Sequence, residues 1–309
     1  MADCSISSLE IVPVTRISPW AAVRAVVPDL LTLTKPEVNF LIVIATLAGF
    51  YLGWPNNLSL PIGRLLNTLW GTLLVASGTG ALNQYREHRF DAQMRRTWRR
   101  PVAAGRLSPF TACWFGVSLS AIGTVYLLIT VNALASGLAV LTLTSYLIIY
   151  TPLKRKTPLC TLVGAFPGAM PPLIGWAAAS GSIISGTAWI LYAVLFLWQF
   201  PHFMAIAWMY REDYARAGYR IFPVHSQGSF LAWVTLGPTF VLLIVGLVAV
   251  AAYSGGMLQY GATALLGSGL IYYATRLVIA PSGTAARELL KSTIVYLPLE
   301  FLILVLGKG

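Results

Sequence analysis

Nine long apolar runs decide what this chain can fold into. They are Val38–Trp54, Leu65–Leu82, Thr111–Thr130, Leu134–Tyr150, Leu159–Ala179, Thr187–Met209, Phe230–Tyr253, Met257–Ala274 and Ser292–Leu306. A helix needs about 20 residues to cross the hydrocarbon core of a bilayer. Most of the runs are that long, and the first and last are expected to extend into flanking polar sequence. Backbone groups in lipid must be paired within the span, so continuous apolar runs imply helices, whereas a barrel would show alternation. Only 10% of the residues are charged, against roughly 25% in soluble domains. The expected fold is therefore all-α and polytopic, with about nine transmembrane helices. Residues 1–34 are expected to form a leader and 35–309 one transmembrane domain. The fifth run holds Pro167, Pro171 and Pro172 with three glycines, so it is expected to kink or break. Irregular backbone at that depth needs protein or a cavity to cover it.

The basic residues sort by side. Of 21 lysines and arginines, 19 fall in the leader or in the connections after the second, fourth, sixth and eighth runs, and Arg64 and Lys308 remain for the other side. The positive-inside rule makes the first group cytoplasmic. Nine passes then put the N-terminus inside and the C-terminus outside. The leader has no charged stretch followed at once by an apolar core, so no cleavable signal peptide is expected. Its acids Asp3, Glu10 and Asp29 weigh against a mitochondrial transit peptide. A bacterial inner membrane is the expected location. Nucleic acid is excluded as a partner, because the charges sit in short connections between spans. Cys4, Cys113 and Cys160 are scattered and make neither a disulfide framework nor a zinc site.

One connection is unusually charged. Asn83–Gly105, extended to Arg106, holds two acids, a histidine and seven arginines. Asn83, Glu87 and Asp91 fall at i, i+4 and i+8, so on a continuing helix all three project from one face. Two carboxylates and an amide form an all-oxygen set suited to Mg²⁺, with phosphate oxygens completing the shell. The alternative is a solvated loop whose arginines only fix topology. A second acidic pair, Glu212 and Asp213, follows the sixth run and occupies the matching place in a second four-helix half. Two such loops meeting over a cavity would hold a Mg²⁺–diphosphate from both sides.

The pattern Asn83-xxx-Glu87-xxx-Asp91-xx-Met94-x-Arg96-Thr97-xx-Arg100-xxxx-Gly105 resembles the signature of the UbiA superfamily of intramembrane prenyltransferases. Four further segments, Tyr150–Pro158, Pro167–Trp176, Trp198–Phe203 and Asp213–Gly218, resemble its protoheme IX farnesyltransferase branch. The resemblance spans roughly residues 33–306. It implies nine helices around a membrane-embedded cavity, Mg²⁺ as cofactor, farnesyl diphosphate as donor and haem B as acceptor. Two departures stand out. Glu87 stands where many members have aspartate. The second loop reads Tyr210-Arg-Glu-Asp-Tyr214 and lacks the DxxxD of members acting on aromatic acceptors, which leaves metal ligation by two carboxylates there open.

On this resemblance, Asn83, Glu87 and Asp91 hold the metal, and Glu212 and Asp213 serve the second loop. Arg96, Arg100, Lys154, Arg155 and Arg211 bind the diphosphate and stabilise its leaving charge. The rings of Tyr150 and Tyr214 shield an allylic cation, and an apolar cavity keeps it from water. His202, inside the sixth run, is a candidate haem-iron ligand, though an isolated intramembrane histidine also serves as a hydrogen-bonded interior residue. The lipid bilayer and a haem A synthase or oxidase assembly factor are the remaining implied partners. A relative acting on a quinone or chlorophyll precursor is the nearest alternative. A secondary transporter with broken helices is the second, disfavoured because the acids cluster in loops rather than at midspan.

Overall fold

The computed structural model describes residues 19–221 and 229–308. The first 18 residues of the leader, His225 and the terminal Gly309 lie outside them. Among the described residues there is no strand, and nine helices are long and apolar enough to cross a membrane. Spans 1 to 9 are Pro36–Gly53, Ile62–Asp91, Pro109–Thr130, Ala133–Leu153, Cys160–Ser180, Gly186–Met209, Phe230–Ala252, Met257–Ile279 and Gly283–Gly307. The count agrees with the nine apolar runs. Span 9 starts at Gly283 rather than Ser292. Its first turns carry Arg287, Glu288 and Lys291, whose charge hid them from an apolar count. Ser282 caps this end by accepting from the Ala285 N–H at 3.1 Å.

Local chemistry sets the other ends. Ser108 caps span 3 by accepting from the Thr111 N–H at 3.0 Å, and Pro109 takes the first helical position, where no N–H is needed. Asn132 caps span 4 through Ala135 at 2.8 Å, and its amide donates to the Ala177 carbonyl at 2.8 Å, pinning the end of span 5. Span 5 breaks at Ala169 (φ −93°, ψ 0°), between Cys160–Gly168 and Met170–Ser180, as its prolines predict.

Spans 1 and 5 pack against each other at the centre. A methyl at Gly49 would run into the Pro172 carbonyl, and one at Gly175 into the Thr46 carbonyl. Such backbone contact supplies the dispersion energy that lipid, as apolar as leucine, does not provide. Spans 2, 3 and 4 lie to one side of this pair. Spans 6 to 9 form a second group, in which span 9 packs on spans 6 and 8 and also touches span 1. Leu47, Trp114, Ile129, Phe240, Leu265 and Leu302 are exposed on the outer surface. In water such a girdle would be an aggregation hazard; against acyl chains it is the expected surface.

Part of the leader is a helix, Pro19–Thr34. Leu33 is fully buried with Ala81, Val102, Leu107 and Ala112, and Arg106 makes a forked ion pair with Asp29 at 2.8 Å. Gln84 donates to the Thr32 and Leu33 carbonyls at 3.1 and 3.3 Å. These contacts fix the chain where it enters span 1.

Candidate active site

Span 2 stays helical to Asp91, so Asn83, Glu87 and Asp91 lie a turn apart on one inward face, 2%, 6% and 1% exposed. Buried carboxylates need partners, and each has a cation from a different part of the chain. Asp91 accepts from Arg100 Nη1 at 2.8 and 3.0 Å. The turns after span 2 bring Arg100 back, held by the Thr97 hydroxyl on the Asp91 carbonyl at 2.9 Å. Glu87 accepts from Lys154 Nζ at 2.9 and 3.1 Å. Asn83 donates from Nδ2 to Glu87 Oε2 at 2.9 Å, and its Oδ1 accepts from Lys35 Nζ at 2.8 Å. Two acids are thus paired with two cations, and the Lys35 amine, Arg96 and Arg155 stand beside them, a positive excess that favours an anion.

The end of span 4 aims Lys154. Pro152 supplies no N–H, and Ser145–Tyr150 winds as a π-helix. The Thr151 N–H and hydroxyl both bond the Tyr146 carbonyl, the hydroxyl at 2.9 Å. Such bulges recur at functional sites. The Lys154 ammonium sits 4.6 Å from the Tyr150 ring centroid and 5.9 Å from that of Tyr146. Burial is the largest single influence and works against the Lys154 charge, but the Glu87 carboxylate and the surrounding tyrosines together outweigh it, and the ammonium is held well above the ordinary lysine value. Lys35 differs. Burial, with Arg100 and Lys154 nearby, lowers it to about 7. Its backbone is left-handed (φ 54°, ψ 64°) without being glycine, a strain of about 1–2 kcal/mol.

The second acidic loop covers the first. The short helix Arg211–Arg216 and the turn after it pack Tyr214, Ala217 and Tyr219 against Met94 and Phe90. Asp213 is buried. It accepts from the Arg96 backbone N–H at 3.3 Å and pairs with Arg216 at 3.3 Å. The Arg96 guanidinium donates to the Tyr214 hydroxyl at 3.4 Å and lies 5.1 Å from the Tyr210 ring centroid. Arg155 stacks on Phe90 at 4.2 Å, beside the cluster.

The structure therefore gathers Asn83, Glu87, Asp91, Arg100, Lys154 and Tyr150 in one cluster, with Asp213, Arg96, Tyr214 and Arg155 at its edge. It does not bring in Glu212, whose side chain is 75% exposed, 3.8 Å from Arg211. Arg211 folds back to donate to the Trp208 carbonyl at 3.0 Å. Among the described residues no three acids, histidines or cysteines converge closely enough to hold a metal by themselves. His202 lies apart, in span 6. Its Nδ1 is 2.9 Å from the Thr293 hydroxyl, and its ring stacks on Trp198 at 4.6 Å.

Sequence reasoning missed Lys35, counted there only toward topology, and Tyr146 and Tyr219. A lysine before a proline at the mouth of an apolar run was the available signal for Lys35.

Residues 42–296 match the UbiA prenyltransferase family model. The protoheme IX farnesyltransferase of Solibacter usitatus is 42% identical over 290 residues, covering 91% of this chain and 98% of that relative. The one from Anaeromyxobacter sp. (strain Fw109-5) is 40% identical, covering 90% and 93%. Among solved structures, a digeranylgeranylglyceryl phosphate synthase superposes with a TM-score of 0.73 at 16% identity, covering 91% of this chain and 98% of that one. A UbiA homologue from Archaeoglobus fulgidus bound to GPP and Mg²⁺ superposes with 0.60 at 14% identity, covering 89% and 99%. The nine spans, the paired acidic loops at one end and these similarities lead to one conclusion: this chain belongs to the UbiA prenyltransferase family, in its protoheme IX farnesyltransferase branch.

Proposed function

We propose that this protein transfers the farnesyl group of farnesyl diphosphate to a vinyl group of haem B, giving haem O and diphosphate. The observation that carries the chemistry is the cluster of Glu87 and Asp91 with Lys35, Arg100 and Lys154 at the charged end of the bundle. In the transfer the allylic C1–O bond breaks, C1 bonds to the vinyl terminus, and water adds its oxygen to the inner vinyl carbon and releases a proton. Arg100 and Lys154 stabilise the departing diphosphate, with Arg96 and Arg155 at the rim. The Tyr150 face, already under a cation at 4.6 Å, stabilises the allylic cation in the same way.

The donor set fits Mg²⁺, since two carboxylates and an amide leave room for phosphate oxygens. Glu87, Asp91 and the Asn83 oxygen would hold the ion, which would supply charge to neutralise the diphosphate, and Arg100, Lys154 and Lys35 are the donors available to phosphate oxygens. Asp213 acts by ordering the Arg96 segment, and Glu212 and Arg211 are assigned a peripheral role.

His202 is the proposed iron ligand, and its hydrogen bonds select the right tautomer. The Thr293 hydroxyl donates its one proton to the Leu290 carbonyl at 2.7 Å. Toward His202 it therefore accepts, which puts the ring proton on Nδ1 and leaves Nε2 with its lone pair. Residues 35–309 form the catalytic domain, with the leader's helix packed on it, and the charged end faces the cytoplasm of a bacterial inner membrane. The apolar product passes to a haem A synthase or oxidase assembly factor within the same bilayer. The test is mass spectrometry of pigments after incubating the purified protein with haem B, farnesyl diphosphate and Mg²⁺. The hydroxyethylfarnesyl product is expected; unchanged haem B would overturn the proposal.

A further inference from the structure

We propose that Tyr219 is a further substrate-binding residue: its phenol hydroxyl donates a hydrogen bond to the diphosphate of the prenyl donor. This rests on the function proposed above and names a contact within its site. Tyr219 is 6% exposed, and its buried hydroxyl makes no hydrogen bond of good geometry, with the Glu87 carboxylate as the acceptor beside it. An unsatisfied buried donor costs stability, so its retention calls for a cause.

The chain holds this side chain in place by several independent means. Gly218 adopts φ +72°, the left-handed turn that glycine takes without strain. The Tyr219 N–H donates to the Tyr214 carbonyl at 2.9 Å, and the next N–H, of Arg220, donates to the Lys154 carbonyl at 2.8 Å. The second bond ties this turn to the lysine that neutralises Glu87. The ring packs edge to face with Phe90 and Tyr214, each at 6.0 Å. The hydroxyl is thereby fixed in the environment of Glu87, Asp91 and Lys154. A phenol keeps its proton at neutral pH, so the hydroxyl is a donor.

The ligand such a donor suits is an anion rich in acceptor oxygens, and the excess positive charge of the cluster selects the same ligand. A phenol that keeps its proton adds no charge. It contributes direction, and with it discrimination between a diphosphate and a smaller anion.

The experiment is calorimetric titration of the detergent-solubilised full chain with inorganic diphosphate in the presence of Mg²⁺, for wild type and Tyr219→Phe. Phenylalanine keeps the ring packing and removes the unsatisfied hydroxyl. The thermal midpoint of the ligand-free protein is expected to hold or rise, while diphosphate affinity falls about ten- to hundredfold, the usual worth of a hydrogen bond to a charged group. Affinity for orthophosphate should change less. Equal diphosphate affinity in the two proteins would overturn the assignment of Tyr219 alone. So would a lowered midpoint with unchanged affinity, which would mark the hydroxyl as a support for Glu87. Absence of diphosphate binding by wild type would overturn the proposed function itself, and Tyr219 with it.

Discussion

Lys154→Met is the sharpest perturbation of the site. It removes one charge and keeps most of the apolar stem. In the wild type, Lys154 and Glu87 pair at 2.9 Å, with side chains only 10% and 8% exposed. Removing one partner of a buried pair costs about 3–5 kcal/mol, because the other charge stays behind without its counter-ion. Here Asn83 still donates to Glu87, and Lys35 stands behind Asn83, so the lower end, about 3 kcal/mol, is expected. At about 2–4 °C per kcal/mol for a chain of this size, the thermal midpoint should fall by roughly 6–12 °C. Size-exclusion chromatography of heated, detergent-solubilised samples measures that fall. The decisive comparison is the double variant Lys154→Met/Glu87→Gln, which removes both charges. It should regain most of the lost midpoint, since the penalty belongs to the orphaned carboxylate, yet it should still transfer no farnesyl. If the single variant melts with wild type, or the double variant melts lower than the single, the pair does not hold the site as argued.

Other predictions concern metal, haem and topology. Asp91→Ala should abolish transfer while the protein still inserts and elutes as a single species; EDTA should stop the wild type and Mg²⁺ restore it, and an active Asp91→Ala would remove Asp91 from the metal set. His202→Ala should shift the Soret band of bound haem and lower transfer with donor affinity nearly unchanged. An unshifted band at saturating haem would exclude ligation through His202. A reporter fused after Arg89 should read cytoplasmic and one at Gly309 external. Both on one side would contradict the odd number of spans.

What was legible in the sequence follows from distance along the chain. Span number came directly from apolar length. The Asn83, Glu87 and Asp91 face came from helical periodicity, a local property that needs only span 2 to stay wound. Span 5 announced its break through its prolines. The ends of spans 2 and 9 were less visible, because Arg89, Asp91, Arg287 and Glu288 are charged residues on helices that project past the apolar core, and a hydropathy count stops before them. The environment of Glu300 is illegible in the sequence for a related reason. Glu300 is fully buried in span 9, with the Thr263 hydroxyl at 3.3 and 3.4 Å, a contact between spans that no local pattern marks.

The partners of the acids belong to the least legible class. Lys35 reaches Asn83 across 48 positions, and Lys154 reaches Glu87 across 67. In the sequence both lysines obey the positive-inside rule, which describes their side of the membrane and nothing of their aim. Aim comes from backbone that departs from the regular helix: the left-handed Lys35, the π-helical turn before Lys154, the left-handed Gly218 before Tyr219. Each departure brings a donor to the end of span 2. A regular helix repeats its side chains at fixed angles, so converging donors from separate spans on one anion requires interrupting that regularity where the spans emerge. The motif on span 2 is readable because it is regular, and the residues that complete it are hidden because they are not.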